Sequence, residues 1–206
     1  LGMLAKGPVA PVLLGTAIII HLIWTRRIKR LASADAALGT VAMLAVGLPW
    51  YIAMYMIHKD AFVQGFLVAN NLSRFLKPEN ASQTGHWYSC LANFPVLLVL
   101  FLPWSVFLPQ AMARSWRVND GAKLASVWFG VVFVFFSLSK TILPTYIFPL
   151  YPAAAIFVGT FWDAAASKDF GALRGLGKGA WVAVLMSVLL LAGLVMWSHR
   201  KYPEAQ

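Results

Sequence analysis

The sequence predicts an all-α protein, a polytopic bundle of about six transmembrane helices. Three observations carry this. The 206 residues are 60% hydrophobic, with a mean hydropathy of +0.72, which is not the composition of a soluble domain. Apolar runs of near-spanning length recur along the whole chain. Lys and Arg collect between alternate runs, as they do in the cytoplasmic loops of membrane proteins.

Taken in order, the first span covers about Val9 to Trp24 and ends in the basic cluster "TRRIKR". The second covers about Ala36 to Ile57. A polar stretch, residues 58–89, reads as an extracytoplasmic loop. The third span runs from about Leu91 to Ala111, and "ARSWRVNDGAK" leads to a fourth at about Leu124 to Leu138. "SLSKTILPTYIFPLYP" (residues 137–152) then separates it from a fifth, about Ile147 to Trp162. The sixth covers about Trp181 to Trp197. Residues 1–198 thus read as one transmembrane domain and 199–206 as the start of an extracytoplasmic tail.

One set of loops holds Arg26, Arg27, Lys29, Arg30, Arg114, Arg117, Lys123, Lys168, Arg174 and Lys178, ten of the 17 basic residues. The other face holds Lys6, Lys59, Arg74, Lys77, Lys140, Arg200 and Lys201. The larger set belongs in the cytoplasm. The net charge of +10 has this origin, and no basic stretch is joined to a nucleic-acid recognition motif. The single cysteine, Cys90, has no partner for an internal disulfide.

Four motifs fall on the outer face. In "LAKGP", Pro8 suits the first turn of a helix, where a missing N–H costs nothing. Lys6 then stands at the positive end of the helix dipole, an arrangement an anion would stabilise. Snorkelling to the interface also explains such a lysine. In "NNLSRF", Asn71 and Arg74 share a face if the segment is α-helical, and an arginine fork clamps a phosphate well. A solvated surface arginine is the plainer alternative. In "TGHWYSC", His86 is either an acid–base or ligand group or an interfacial residue beside the Trp87–Tyr88 belt.

The fourth motif is "SLSKTILPTYIFPLYP". Pro144, Pro149 and Pro152 free backbone groups, and broken backbone at membrane depth survives only when covered by protein or facing a water-filled cavity. Either it forms a cavity mouth, a re-entrant turn presenting Lys140, Tyr146 and backbone carbonyl groups, or it is a tight turn with Lys140 at the surface. One anionic ligand would account for Lys6, Arg74 and Lys140 together: a phosphate or pyrophosphate head with a tail in the bilayer.

The ordered set "LAKGPV", "LPWYIAM", "NNLSRF", "LPWSVFLP" and "FFSLSKTILPTYIFPLYPAAA" resembles the polyprenyl-phosphate-sugar-dependent membrane glycosyltransferases. It is most similar to the bacterial aminoarabinose lipid A transferases, which are related to the protein O-mannosyltransferases. The resemblance implies a many-span GT-C type fold in the bacterial inner membrane, with its active site facing the periplasm. It implies a polyprenyl-phosphate-linked sugar donor and a lipid A, other glycolipid or protein acceptor.

By the same resemblance Lys6, Arg74, Tyr146 and Lys140 would hold the donor phosphate, and Asn71, Tyr151 and His86 would line the substrate pocket. The family's catalytic carboxylates would lie upstream of Leu1, so this chain is expected to be an internal or C-terminal piece that is inactive alone. Many relatives carry a histidine just before the Asn–Arg pair. Ala69 and Asn70 stand there in this chain, which weakens the case for a divalent metal. A lipid transporter or flippase, or a non-catalytic membrane subunit, remains the competing reading.

Overall fold

The structure, a computed structural model, describes residues 2–76, 89–116, 119–139, 144–167 and 169–201, and among these there are helices and turns but no strand. A five-residue helix, α1 (Gly2–Lys6), ends at Gly7. Gly7 takes the left-handed φ of 75° and donates its N–H to the Met3 carbonyl at 3.0 Å. α2 (Val9–Trp24) follows from Pro8. It stops where the Thr25 N–H and hydroxyl both bond the His21 carbonyl and Arg26 turns at φ 57°. A 3₁₀ turn, Ile28–Ala32, carries the basic cluster to α3 (Ala34–Phe62). The Ser33 hydroxyl caps α3 by accepting from the Ala36 N–H at 3.2 Å.

α3 is not one straight rod. Lys59 leaves helical geometry at φ 44°, ψ −123°. Beyond it, Phe62 and Phe66 meet Trp50 at 5.8 and 5.6 Å between ring centroids. A straight helix would separate residues 50 and 62 by roughly 18 Å. The chain therefore folds back at Lys59, continues as π-helix over Val63–Ser73, and closes with the short α4 (Arg74–Leu76).

Residues 58–76, expected as part of a polar loop, are thus a helical return arm. The physical reason is its apolar content: Phe62 is buried and Phe66 half-buried against the aromatic residues of α3.

α5 (Ser89–Leu100) opens the next passage. The expected third span is broken: a turn at Phe101–Pro103 and a 3₁₀ turn, Trp104–Phe107, precede α6 (Leu108–Ser115). Pro103 and Pro109 remove donors there, so a continuous ladder cannot form. α7 (Asp120–Leu138) starts with Asn119 accepting from the Ala122 N–H at 2.8 Å. A 3₁₀ segment, Pro144–Leu150, leads to α8 (Tyr151–Ala166), and α9 (Phe170–Lys201) completes the chain.

The core lies between α5, α6, α7 and α8, with α2 packed along α7. Phe157 and Phe161 of α8, Leu97 of α5 and Val132 of α7 are fully buried. Lipid is as apolar as leucine, so close packing rather than water exclusion holds such helices together. Buried alanines at 111, 125, 153, 154 and 165 allow the close approach.

α9 docks through glycines spaced four apart. A Cβ on Gly179 would lie 2.4 Å from the Phe107 ring, and one on Gly175 2.2 Å from the Gln110 amide oxygen. α3 and most of α9 face outward with apolar side chains exposed, as lipid-facing helices do.

Among the described residues, four helical stretches are long and apolar enough to cross a membrane: 34–69, 120–138, 145–166 and 170–197. The first includes the reversal at Lys59, so its crossing part ends there. α2 is apolar but shorter, and the α5–α6 passage is interrupted. The protein is an integral membrane protein of helical class.

Candidate functional site

Opposite ends of the bundle differ in chemistry. At one end ion pairs join the basic loops: Arg27 to Asp120 at 2.7 Å, Lys123 to Asp120 at 3.2 Å, and Arg114 to Asp169. The loops grouped on one side by their Lys and Arg content therefore do come together. Arg27 lies just past the end of α2 and Asp120 at the start of α7, so the two helices are antiparallel. The start of α2 must then lie beside the end of α7.

That second end gathers three of the four motifs. Lys6 closes α1, is exposed, and has no ion-pair partner among the described residues. The start of α2 beside it has no side-chain cap and adds the positive end of the helix dipole, although Pro8 and Pro11 supply no N–H and that of Ala10 bonds the Gly7 carbonyl at 3.4 Å. Phe75, next to Arg74 in the return arm, packs on Phe135 of α7 at 5.0 Å. Phe136, one residue on, packs on Tyr146 at 5.1 Å.

The 3₁₀ segment bearing Tyr146 is anchored by the fully buried Ile147 and Leu150. The Trp128 indole N–H donates to the Pro149 carbonyl at 2.7 Å, satisfying an oxygen at the helix break. Tyr151 starts α8 between Phe101 (5.6 Å) and Phe148 (5.9 Å). Its hydroxyl is buried and finds no partner among the described residues.

Asn71 lies in the π-helical arm and Arg74 opens α4. The shared-face expectation assumed α-helical winding, whereas the arm is wound as π-helix through Ser73. The side chains of both lie outside what the structure describes, and His86 and Lys140 lie outside the described residues altogether. Among the described residues no group of three His, Cys, Asp or Glu side chains converges as a metal site would require.

An apolar groove of about 440 Å³ runs between α2 and α7. Val12, Leu13, Val134, Phe135 and Leu138 line its upper part, and Ile20 and Val127 its lower. It begins at Val12, about one turn into α2, and extends roughly 12 Å along that helix. A cationic, helix-broken end joined to an apolar groove suits a ligand with an anionic head and a hydrocarbon tail.

Sequence reasoning passed over the residues that knit this end together: Tyr51, Phe75, Trp128 and Phe136. Tyr51 had one signal, its place in "LPWYIAM", a motif that carries the resemblance but no charge. Phe75 and Phe136 likewise fall inside resemblance motifs without carrying a polar group, and Trp128 reads as an ordinary apolar helix residue.

Comparison with known proteins gives the class first. The chain superposes on the crystal structure of ArnT from Cupriavidus metallidurans bound to undecaprenyl phosphate with a TM-score of 0.72, and so shares the helical membrane fold of that part of it. That match has 25% sequence identity and covers 99% of this chain and 34% of that one.

Within that class the chain is homologous, along its whole length, to the undecaprenyl phosphate-alpha-4-amino-4-deoxy-L-arabinose arabinosyl transferases. It is 31% identical over 209 residues to such a protein from Pseudomonas fluorescens, covering 99% of this chain and 35% of that one. It is 30% identical over 214 residues to one from Erwinia tasmaniensis, covering 100% of this chain and 37% of that one. The resemblance read from the five motifs is borne out. The chain spans about a third of the length of these relatives. No protein-family model matches it.

Proposed function

We propose that this chain is the donor-phosphate-binding part of a membrane glycosyltransferase. The enzyme would transfer a sugar, an aminoarabinose-like pentose in the first instance, from a polyprenyl-phosphate-linked donor to lipid A or a related glycolipid or protein acceptor. The observation that carries this reading is the gathering of "LAKGP", "NNLSRF" and "LPTY" around the last turn of α7, at the mouth of an apolar groove.

In this reading Lys6, Arg74 and Lys140 neutralise the carrier phosphate and Tyr146 donates a hydrogen bond to it. Charge grows on that phosphate as the glycosidic bond breaks, so cations fixed around it lower the barrier more than they tighten ground-state binding. The isoprenoid tail lies in the α2–α7 groove. Asn71, Tyr151 and His86 face the sugar; the Tyr151 hydroxyl, without a partner among the described residues, serves that purpose. The carboxylate that activates the acceptor comes from another part of the protein. The chain crosses the bacterial inner membrane six times, counting α2 and the broken α5–α6 passage, and the site opens to the periplasm.

The test is transfer activity in the full-length protein. Lys6→Ala and Arg74→Ala should each cut turnover by about 100-fold or more, the scale of losing a charge-assisted contact to a developing anion, with membrane expression unchanged. Normal turnover in both variants would remove the phosphate site.

A further inference from the structure

We propose that Tyr51 is the positioning residue for Lys6, and that the aromatic cluster around it ties the Lys6 turn to the return arm bearing Asn71 and Arg74. This rests on the reading of Lys6 and Arg74 as phosphate ligands.

α1 has five residues, far too few for a helix to hold itself in shape. Its position must come from outside, and two contacts one turn apart on α3 supply it. The Tyr51 hydroxyl donates to the Met3 carbonyl at 2.9 Å. The Met3 side chain lies against Gly47, where any Cβ would sit 2.8 Å from the sulfur. The Met3 carbonyl also accepts the Gly7 N–H at 3.0 Å, the bond that closes the turn holding Lys6. Both lone pairs of one oxygen are thus engaged, one from the turn itself and one from Tyr51. Gly7 holds φ 75°, a conformation costly to any residue with a Cβ, so the turn is set at one point.

Tyr51 is fixed in its own right. Trp50 lies edge-on at 5.0 Å, and Phe62 and Phe66 each at 6.1 Å. Phe62 and Phe66 stack on one another at 5.3 Å, nearly parallel. They belong to the return arm, five to twelve residues before Asn71 and Arg74, and the arm's far end is pinned to α7 through Phe75. A shift of the arm therefore moves the Tyr51 ring, and with it the Met3 carbonyl and the Lys6 turn.

The experiment measures undecaprenyl phosphate affinity of the full-length protein in phosphatidylcholine nanodiscs, alongside melting temperature. The variants are Lys6→Met, Tyr51→Phe, Gly7→Ala and the doubles with Lys6→Met. Lys6→Met should weaken binding at least tenfold. Tyr51→Phe, which keeps the ring and removes the hydrogen bond, should weaken it about 2- to 10-fold. Combined with Lys6→Met it should add nothing, because Tyr51 acts through Lys6.

Gly7→Ala strains the same turn from the other side and should repeat the pattern. If Tyr51→Phe fails to fold, unchanged affinity in Gly7→Ala still overturns the positioning role, because the geometry of the Lys6 turn would then not govern binding. Unchanged affinity in Tyr51→Phe with a clear loss in Lys6→Met overturns the positioning role and leaves the phosphate site standing. So does an effect that multiplies independently in the double variant. Wild-type affinity in Lys6→Met overturns both.

Discussion

Glycine at position 179 is where a single residue decides how two helices meet. Its missing side chain leaves room for the buried Phe107 ring, which a Cβ would approach to 2.4 Å. That ring is buried against Phe161 and Trp162, so it yields less readily than a surface side chain. Gly175 looks equally tight, but its nearest neighbour is the end of an exposed glutamine, which can swing away. Gly177 meets nothing within 4 Å. Gly179→Ala should therefore destabilise the protein by about 1–3 kcal/mol through overpacking, Gly175→Ala by clearly less, and Gly177→Ala should be neutral or slightly stabilising. Thermal unfolding in detergent checks the order. Sequence shows a glycine at every second position from 175 to 179, yet only the packed structure separates the tight ones from the open one.

At the scale of an element, α9 is held at its start by one carboxylate. Asp169 accepts the Gly171 N–H at 2.9 Å and the Ala172 N–H at 3.1 Å through one oxygen and pairs with Arg114 of α6 through the other. The Ala172 N–H, with Arg114 and the Gly171 N–H, holds its carboxyl below the usual carboxylate pKa. A lowered pKa in the folded state means stability that is full above the unfolded value near pH ~4 and is lost as pH falls through the folded one. Asp169→Asn keeps a capping oxygen but not the charge. It should lower the melting temperature at pH 7, and the gap to wild type should begin to narrow as the pH falls from about 4 to 3. An unchanged gap across that range would mean the charge does not matter to α9.

The return arm is the other element-scale lesson. "HKDAFVQGFLVANNLSRF" reads as loop because it opens with charges and holds Gln, Gly and two Asn. Its Phe62 and Phe66 reveal their purpose only once Trp50 and Tyr51 are beside them. Local pattern cannot report a partner brought near by a chain reversal.

For the whole molecule, the two ends of the bundle make a prediction about orientation. α3 runs from the basic end to the reversal at Lys59, so Lys29 and Asp60 lie at opposite ends. In a Cys90→Ala background, a membrane-impermeant maleimide added to spheroplasts should label Asp60→Cys and leave Lys29→Cys unmodified until the cells are opened. The reverse pattern would turn the molecule over and put the Lys6 end in the cytoplasm.

By itself the sequence determined the helical membrane class, the approximate position of most crossings, the grouping of the basic loops, and the family likeness. Each follows from composition or from motifs contiguous in the chain: apolar runs must be helical in lipid because no water satisfies their backbone, and Lys and Arg sort by side. Tertiary structure alone decided that the 58–76 segment folds back as a helical arm and that the Tyr51 hydroxyl meets the turn of Lys6. Those depend on contacts between residues far apart in the chain, such as Phe75 with Phe135 and Tyr51 with Met3. Such pairings are set by how rings and carbonyls fit once the helices have packed, and the linear pattern of residues carries no trace of them.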